Sequence, residues 1–110
     1  MTLSYEYNEI KHVSMDEITK IMQENKNYVI LDVRTQEEYN EGHIPNAINI
    51  PNETIDEKIY DKLKDKKQLI LIYCRSGSRS RQAAYKMQKL GYSNLVEFGG
   101  IINWKGEIEK

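Results

Sequence analysis

The chain is poor in the residues that usually staple or punctuate a small protein. It holds one cysteine, two prolines, one tryptophan and one phenylalanine among 110 residues. A single cysteine excludes an internal disulfide and a cysteine-based zinc site. The two histidines, His12 and His43, stand far apart, so no cluster has metal-ligand spacing, and nothing in the pattern asks for a metal or another cofactor. No apolar run approaches the roughly 20 residues needed to span a bilayer. Met1 to Lys11 is polar and lacks the apolar region of a signal peptide. Neither sign of charge dominates: 16 Lys and Arg against 17 Asp and Glu leave a net charge of −1, which gives no reason to expect nucleic acid or a membrane surface as partner. What is left is the composition of a soluble globular protein, long enough for one core and too short for two, so residues 1–110 are expected to form a single domain. A free thiol in such a chain fits a reducing, cytoplasmic location.

Short apolar runs alternate with helical patterns. Ser14-Met15-Asp16-Glu17 has the spacing of a capping box, and Ile18, Ile21 and Met22 continue it as a helical stripe. Tyr28 to Val33 is apolar and rich in β-branched residues, as a buried strand is. Thr35-Gln36-Glu37-Glu38 opens a second helix that stops at Gly42. Ala47 to Ile50, between Pro45 and Pro51, reads as a short strand. Ile55, Ile59 and Leu63 share one face of an expected surface helix. Leu69 to Tyr73 is the next strand. Ala83, Ala84, Met87 and Leu90 stripe the following helix, which Gly91 ends. Asn94 to Phe98 reads as a last strand, and Gly99-Gly100 leads into an expected helix carrying Ile101, Ile102, Trp104 and Ile108. Strands separated by helices imply an α/β fold with a mainly parallel sheet between helical layers. In such folds ligands gather at the carboxyl ends of the strands, where both Asp32 and Cys74 fall.

The only cysteine stands at one of those ends, followed by Arg75-Ser76-Gly77-Ser78-Arg79-Ser80 and a helix. A lone buried cysteine is usually an inert small hydrophobe. Here the polar loop after it cannot be buried cheaply, which weighs against the inert reading. Backbone N–H groups, a helix N-terminus and arginines all favour a thiolate, and a thiolate is a nucleophile. Ser76-Gly77-Ser78 is small enough for successive N–H groups to turn inward as an anion-binding nest. From Cys74 to Val96 there is no Asp or Glu, while Arg75, Arg79, Arg81, Lys86 and Lys89 all fall inside. That stretch is either a solvated basic helix face or a local positive field that draws a small anion to the thiol. Protein tyrosine phosphatases carry a cysteine, five residues and then an arginine; in this chain Ser80 stands where that arginine would be, with Arg79 and Arg81 on either side. The spacing weakens a phosphate-ester chemistry without removing it.

Four segments, in order, resemble those of a single-domain rhodanese. Tyr28 to Arg34 with Glu37, Glu38 and Tyr39 is similar to the family's first signature, and Gly42-His43-Ile44-Pro45-Asn46-Ala47 to its Gly-His-Ile-Pro-Gly-Ala turn. Tyr73 to Ser80 is similar to its active loop, and Gly99-Gly100 with Trp104 to its closing motif. The likeness runs from about Ile10 to Trp104, with Asn46 in place of the family's usual glycine, a substitution that a left-handed turn tolerates. The resemblance implies a five-stranded mainly parallel sheet flanked by helices on both faces. It also implies a thiosulfate-type sulfurtransferase working through a Cys74 persulfide, with no cofactor and no metal. Arg75, Ser76, Gly77, Ser78 and Arg79 would bind a small anionic sulfur donor, and a thiol or cyanide would accept the sulfur. Asp32, Arg34 and Ser80 would support the site, His43 would be a structural turn residue, and Phe98 and Trp104 would lie in the core. The loop from Cys74 to Arg79 has the sulfurtransferase length, one residue shorter than in the phosphatase relatives. Two alternatives stay open: a sulfur-relay or partner-binding module of the same family, and a phosphatase or arsenate reductase using the same loop.

Overall fold

A computed structural model describes residues 9–110; residues 1–8, most of the polar N-terminal stretch considered for a signal peptide, lie outside it. Five strands form one sheet. In chain order they are β1 (Lys11–His12), β2 (Tyr28–Asp32), β3 (Ile48–Asn49), β4 (Leu69–Cys74) and β5 (Leu95–Gly100). Their order across the sheet is β1-β5-β4-β2-β3, and all four pairings are parallel. The α-helices are α1 (Met15–Glu24), α2 (Gln36–Glu41) and α3 (Ser78–Lys89). Among the described residues no helix is long and apolar enough to cross a membrane.

Strand alternation builds two cores from one sheet. Along β4, Ile70, Ile72 and Cys74 face α3 with Ala83, Ala84 and Met87, while Leu71 and Tyr73 face α1 with Ile18. Helices therefore cover both faces, and the central strands are buried on both sides, as a parallel sheet requires. Both capping boxes form as the sequence spacing predicts. Ser14 Oγ accepts from the Glu17 N–H at 3.2 Å, Thr35 Oγ1 accepts from the Glu38 N–H at 3.2 Å, and each glutamate accepts from its cap's N–H in return.

Three elements depart from expectation. The helix expected through Ile55, Ile59 and Leu63 is two short 3-10 segments, Asn52–Thr54 and Glu57–Asp61. Asp56 breaks it: its backbone is extended and its side chain accepts from the Lys58 N–H, capping the second segment. All three apolar side chains still reach the core, so the four-residue spacing reported burial rather than helix. The expected C-terminal helix is one 3-10 turn, Ile101–Asn103. The chain then folds Gly106 against the Trp104 indole and pairs Glu109 with His43, leaving Ile102 and Ile108 exposed. β1 carries no apolar signal, because its two residues, Lys11 and His12, are both exposed.

A buried ion pair ties β2 to the turn after α2. Asp32 Oδ1 accepts from the Arg34 backbone N–H at 2.9 Å and from Nε at 3.0 Å; Oδ2 accepts from Nη2 at 2.7 Å and from the Tyr73 hydroxyl at 2.7 Å. Arg34 Nη2 also donates to the Gly42 carbonyl at 2.7 Å, and the Ile44 N–H donates to the Tyr73 hydroxyl at 3.1 Å. Burial works against the Arg34 charge, but hydrogen bonds and charge from Asp32 outweigh it and hold the guanidinium pKa above its ordinary value. Burial first, and then the bond to Asp32, raises the Tyr73 phenol. Asn46, at φ 71°, takes the left-handed conformation that the turn needs. Asp32→Asn leaves the Arg34 charge buried without its partner. Urea denaturation is expected to show a loss of about 3–5 kcal/mol, the usual effect of breaking a buried pair from one side.

Candidate active site

Cys74 is the last residue of β4 and Ser78 the first of α3, so three residues turn the chain from strand to helix. Gly77 makes the turn at φ 122°, a region that residues with a Cβ avoid. Its N–H points back and donates to Cys74 Sγ at 2.9 Å. The sulfur thus sits beneath the first turn of a 12-residue helix, where the free N–H groups and the dipole favour negative charge. The thiol is buried, at 1% exposure. Of the inward-turning N–H groups expected for the loop, that of Gly77 is the one bonded to the sulfur among the described residues.

The loop rests on β5. Cys74 pairs with Gly100 across a register shift that begins after Ile72. A Cβ on Gly100 would lie 1.8 Å from the Arg75 carbonyl oxygen and 2.5 Å from Ser76 Cα. Only a glycine lets the two backbones approach this closely. Gly99, at φ 84°, has nothing within 4 Å of the same position. The adjacent glycines therefore do different work: Gly99 supplies the left-handed residue at the register shift inside β5, and Gly100 supplies room for the cysteine loop.

The loop arginines are placed differently from one another. Arg79 grips Glu38 of α2 bidentately, Nη1 to Oε1 at 2.6 Å and Nη2 to Oε2 at 3.0 Å. The bond to Arg79 is the largest cause that holds the Glu38 carboxyl down, to about 2. That same bond, with smaller Coulombic help from Cys74, raises the Arg79 guanidinium. Arg75 is exposed, with its carbonyl bonded to the Ile102 N–H at 3.3 Å. Arg81 Nη1 lies 3.5 Å from where a Cβ on Gly77 would stand, so this residue of α3 also borders the loop.

Ser80 and Glu97 complete the surroundings of the sulfur. Ser80 Oγ lies 3.5 Å from Cys74 Sγ and donates to Glu97 Oε2 at 2.6 Å, with the Gly77 carbonyl at 2.9 Å as its other close acceptor. Glu97 Oε2 also accepts from the Gly99 N–H at 2.7 Å, and Oε1 lies 2.7 Å from His12 Nδ1. Neither Glu97 nor His12 was among the site residues read from the sequence. The available signal was a single carboxylate inside an otherwise apolar strand, on the side that alternation turns toward α3. Asp32 and Arg34 are brought together by direct hydrogen bonds. They hold the turn through Gly42 and Tyr73, whose side chain faces away from Cys74, and make no bond to the cysteine loop among the described residues.

A buried thiol at the end of a central parallel strand, with a glycine loop beside it that opens a helix, is the site this α/β fold builds. The chain belongs to the rhodanese-like family: the family's Rhodanese-like domain matches residues 14–107. It is 35% identical over 71 residues to the thiosulfate sulfurtransferase PspE of Escherichia coli, covering 64% of this chain and 68% of PspE. It is 30% identical over 96 residues to a sulfurtransferase of Allochromatium vinosum, covering 86% of this chain and 88% of that protein. The crystal structure of a rhodanese-like domain protein from Staphylococcus aureus superposes with a TM-score of 0.74 at 34% identity, over 91% of this chain and 97% of that one. Larger relatives include the adenylyltransferase and sulfurtransferase uba4 of Ogataea parapolymorpha, of which the matched region is 21%.

Two outcomes test this geometry. Gly99→Ala meets only its own backbone strain, of order 1–3 kcal/mol. Gly100→Ala must also displace the Arg75 carbonyl, so thermal denaturation is expected to show a clearly larger loss, with reduced reactivity of Cys74. The second concerns acid. Glu38 is lowered from 4.5 to about 2, so its pairing stabilises the fold fully above 4.5 and is lost as pH falls toward 2. In urea melts, Glu38→Gln is expected to flatten that part of the acid slope and to differ most from wild type above pH 4.5.

Proposed function

We propose that the protein is a sulfurtransferase that carries a sulfane sulfur on Cys74. The single observation behind this is the cysteine loop, with Sγ held by the Gly77 N–H beneath the start of α3, in a chain of the rhodanese-like family. The Cys74 thiolate attacks the outer sulfur of thiosulfate or a similar small anionic donor. A new S–S bond forms, the donor's own S–S bond breaks, and sulfite leaves with that bonding pair. Cys74 is then a persulfide. A thiol or cyanide attacks its outer sulfur and Cys74 departs as a thiolate, which predicts ping-pong kinetics. The Gly77 N–H holds the sulfur, Ser76 and Ser78 complete the loop that would bind the donor, and Arg75 and Arg79 provide positive charge for it. Because Arg79 is held by Glu38, it acts from a fixed position, and Arg75 is the freer of the two. Asp32 and Arg34 support the site by holding the neighbouring turn, and Ser80 supports it by contact with the thiol. No metal or other cofactor enters the cycle.

Residues 1–110 are taken as a single domain, and a free reactive thiol suits the reducing cytoplasm. A relay role, with a protein thiol or persulfide as partner, is a second reading. The likeness to a domain-sized part of uba4 favours it. Phosphate-ester chemistry is less favoured: the position of the phosphatase arginine holds buried Ser80, hydrogen-bonded to a carboxylate, which is a poor neighbour for a phosphate dianion. With thiosulfate and cyanide, the purified protein is expected to release thiocyanate, and Cys74→Ser to reduce that release to background. Aryl-phosphate hydrolysis without thiosulfate turnover would reverse the order of these readings.

A further inference from the structure

Glu97 lies on the face of β5 that packs against α3, where alternation would otherwise place an apolar core residue. It is 2% exposed. A carboxylate is costly to bury, and this one has three polar partners: the Ser80 hydroxyl at 2.6 Å, the Gly99 N–H at 2.7 Å and His12 Nδ1 at 2.7 Å. A glutamine could make the same three contacts without the charge.

What the charge can do follows from Ser80, whose hydroxyl carries one proton. When that proton points to Glu97, the oxygen's lone pairs are free toward the sulfur, and the Cys74 thiol donates to them at 3.5 Å. Thiol, hydroxyl and carboxylate form a continuous chain from the nucleophile to β1. We propose that Cys74 and Glu97 share one proton through Ser80, and that Glu97 takes the thiol proton when Cys74 becomes the nucleophile. The thiol proton moves to Ser80 Oγ as the Ser80 proton moves to Glu97 Oε2. One S–H bond breaks, one carboxyl O–H bond forms, and the charge of the pair stays at −1. The thiolate then accepts from Ser80 O–H and Gly77 N–H, while the new carboxyl donates to Ser80 Oγ. When Cys74 is released as a thiolate at the end of the cycle, the same path returns the proton. Glu97 and His12 act through other groups and are positioning residues.

Several charged groups face the pair. His12 comes from β1 and Arg79 from α3; Arg79 in turn faces Glu38 of α2 and Glu53 of the first 3-10 segment. His12 is half-exposed and connects the buried carboxylate to solvent.

The proposal rests on Cys74 being the reacting thiol, but its test needs no sulfur donor. Alkylation of Cys74 by iodoacetamide, measured as rate against pH, reads the thiolate directly. Two groups sharing one proton titrate in two macroscopic steps, so the wild-type profile is expected to rise twice, with the steps more than about one pH unit apart. Glu97→Gln is expected to leave a single rise. A purely structural Glu97 would change melting temperature and leave the number of steps unaltered. A single rise in wild type overturns the proposal, and so does a double rise that persists in Glu97→Gln. Two steps without thiosulfate loading would overturn sulfur transfer and leave the shared proton standing. Loading with a single step would do the reverse.

Discussion

The close contact between the cysteine loop and Gly100 is the constraint on which the site depends. Parallel strands β4 and β5 run in register up to Ile72, and then the ladder shifts so that Cys74 meets Gly100. At that point the Arg75 carbonyl occupies the volume a side chain would need. The loop is thereby pressed onto the sheet edge. Gly77 can then curl its N–H onto the sulfur, and α3 starts directly above it. Without that contact the thiol would stand on a free loop, and the helix dipole, which acts within the first turn, would not reach it.

Two ion pairs divide the remaining work. Asp32 and Arg34 are buried on the face away from Cys74 and hold the Gly42–Ile44 turn through Tyr73. Their effect on the site is indirect, through the rigidity of the sheet edge. Arg79 and Glu38 are partly exposed and link the cysteine loop to α2. An arginine that spacing alone would assign to an incoming anion is therefore already committed, and its charge reaches the sulfur from a fixed direction. The loop's positive field combines this anchored guanidinium with the exposed Arg75 and with Arg81 beside Gly77.

Much of this was legible in the sequence because its signals are local. The capping boxes at Ser14 and Thr35, the glycine at the turn into α3 and the apolar alternation of β4 depend on neighbours within a few residues. The cysteine loop was legible for the same reason. What stayed hidden was set at long range or by competition. β1 forms because Lys11 and His12 fit the edge of β5, not because they are apolar. Ile55, Ile59 and Leu63 have helical spacing, yet Asp56 prefers to cap and splits the segment. Glu97 and His12 are 85 residues apart, and only the pairing of β1 with β5 joins them behind Ser80. A lone acidic residue in a buried strand was the trace that this network left in the sequence.

The central claim is that Cys74 carries sulfur between donor and acceptor. The most direct measurement is the intact mass of the protein after thiosulfate is added and removed, and again after an acceptor thiol is supplied. The account predicts a gain of one sulfur atom, located on Cys74 by peptide mapping and lost on addition of the thiol. An unchanged mass after thiosulfate and after a persulfide donor alike, with Cys74 shown reduced and the protein folded, would contradict it.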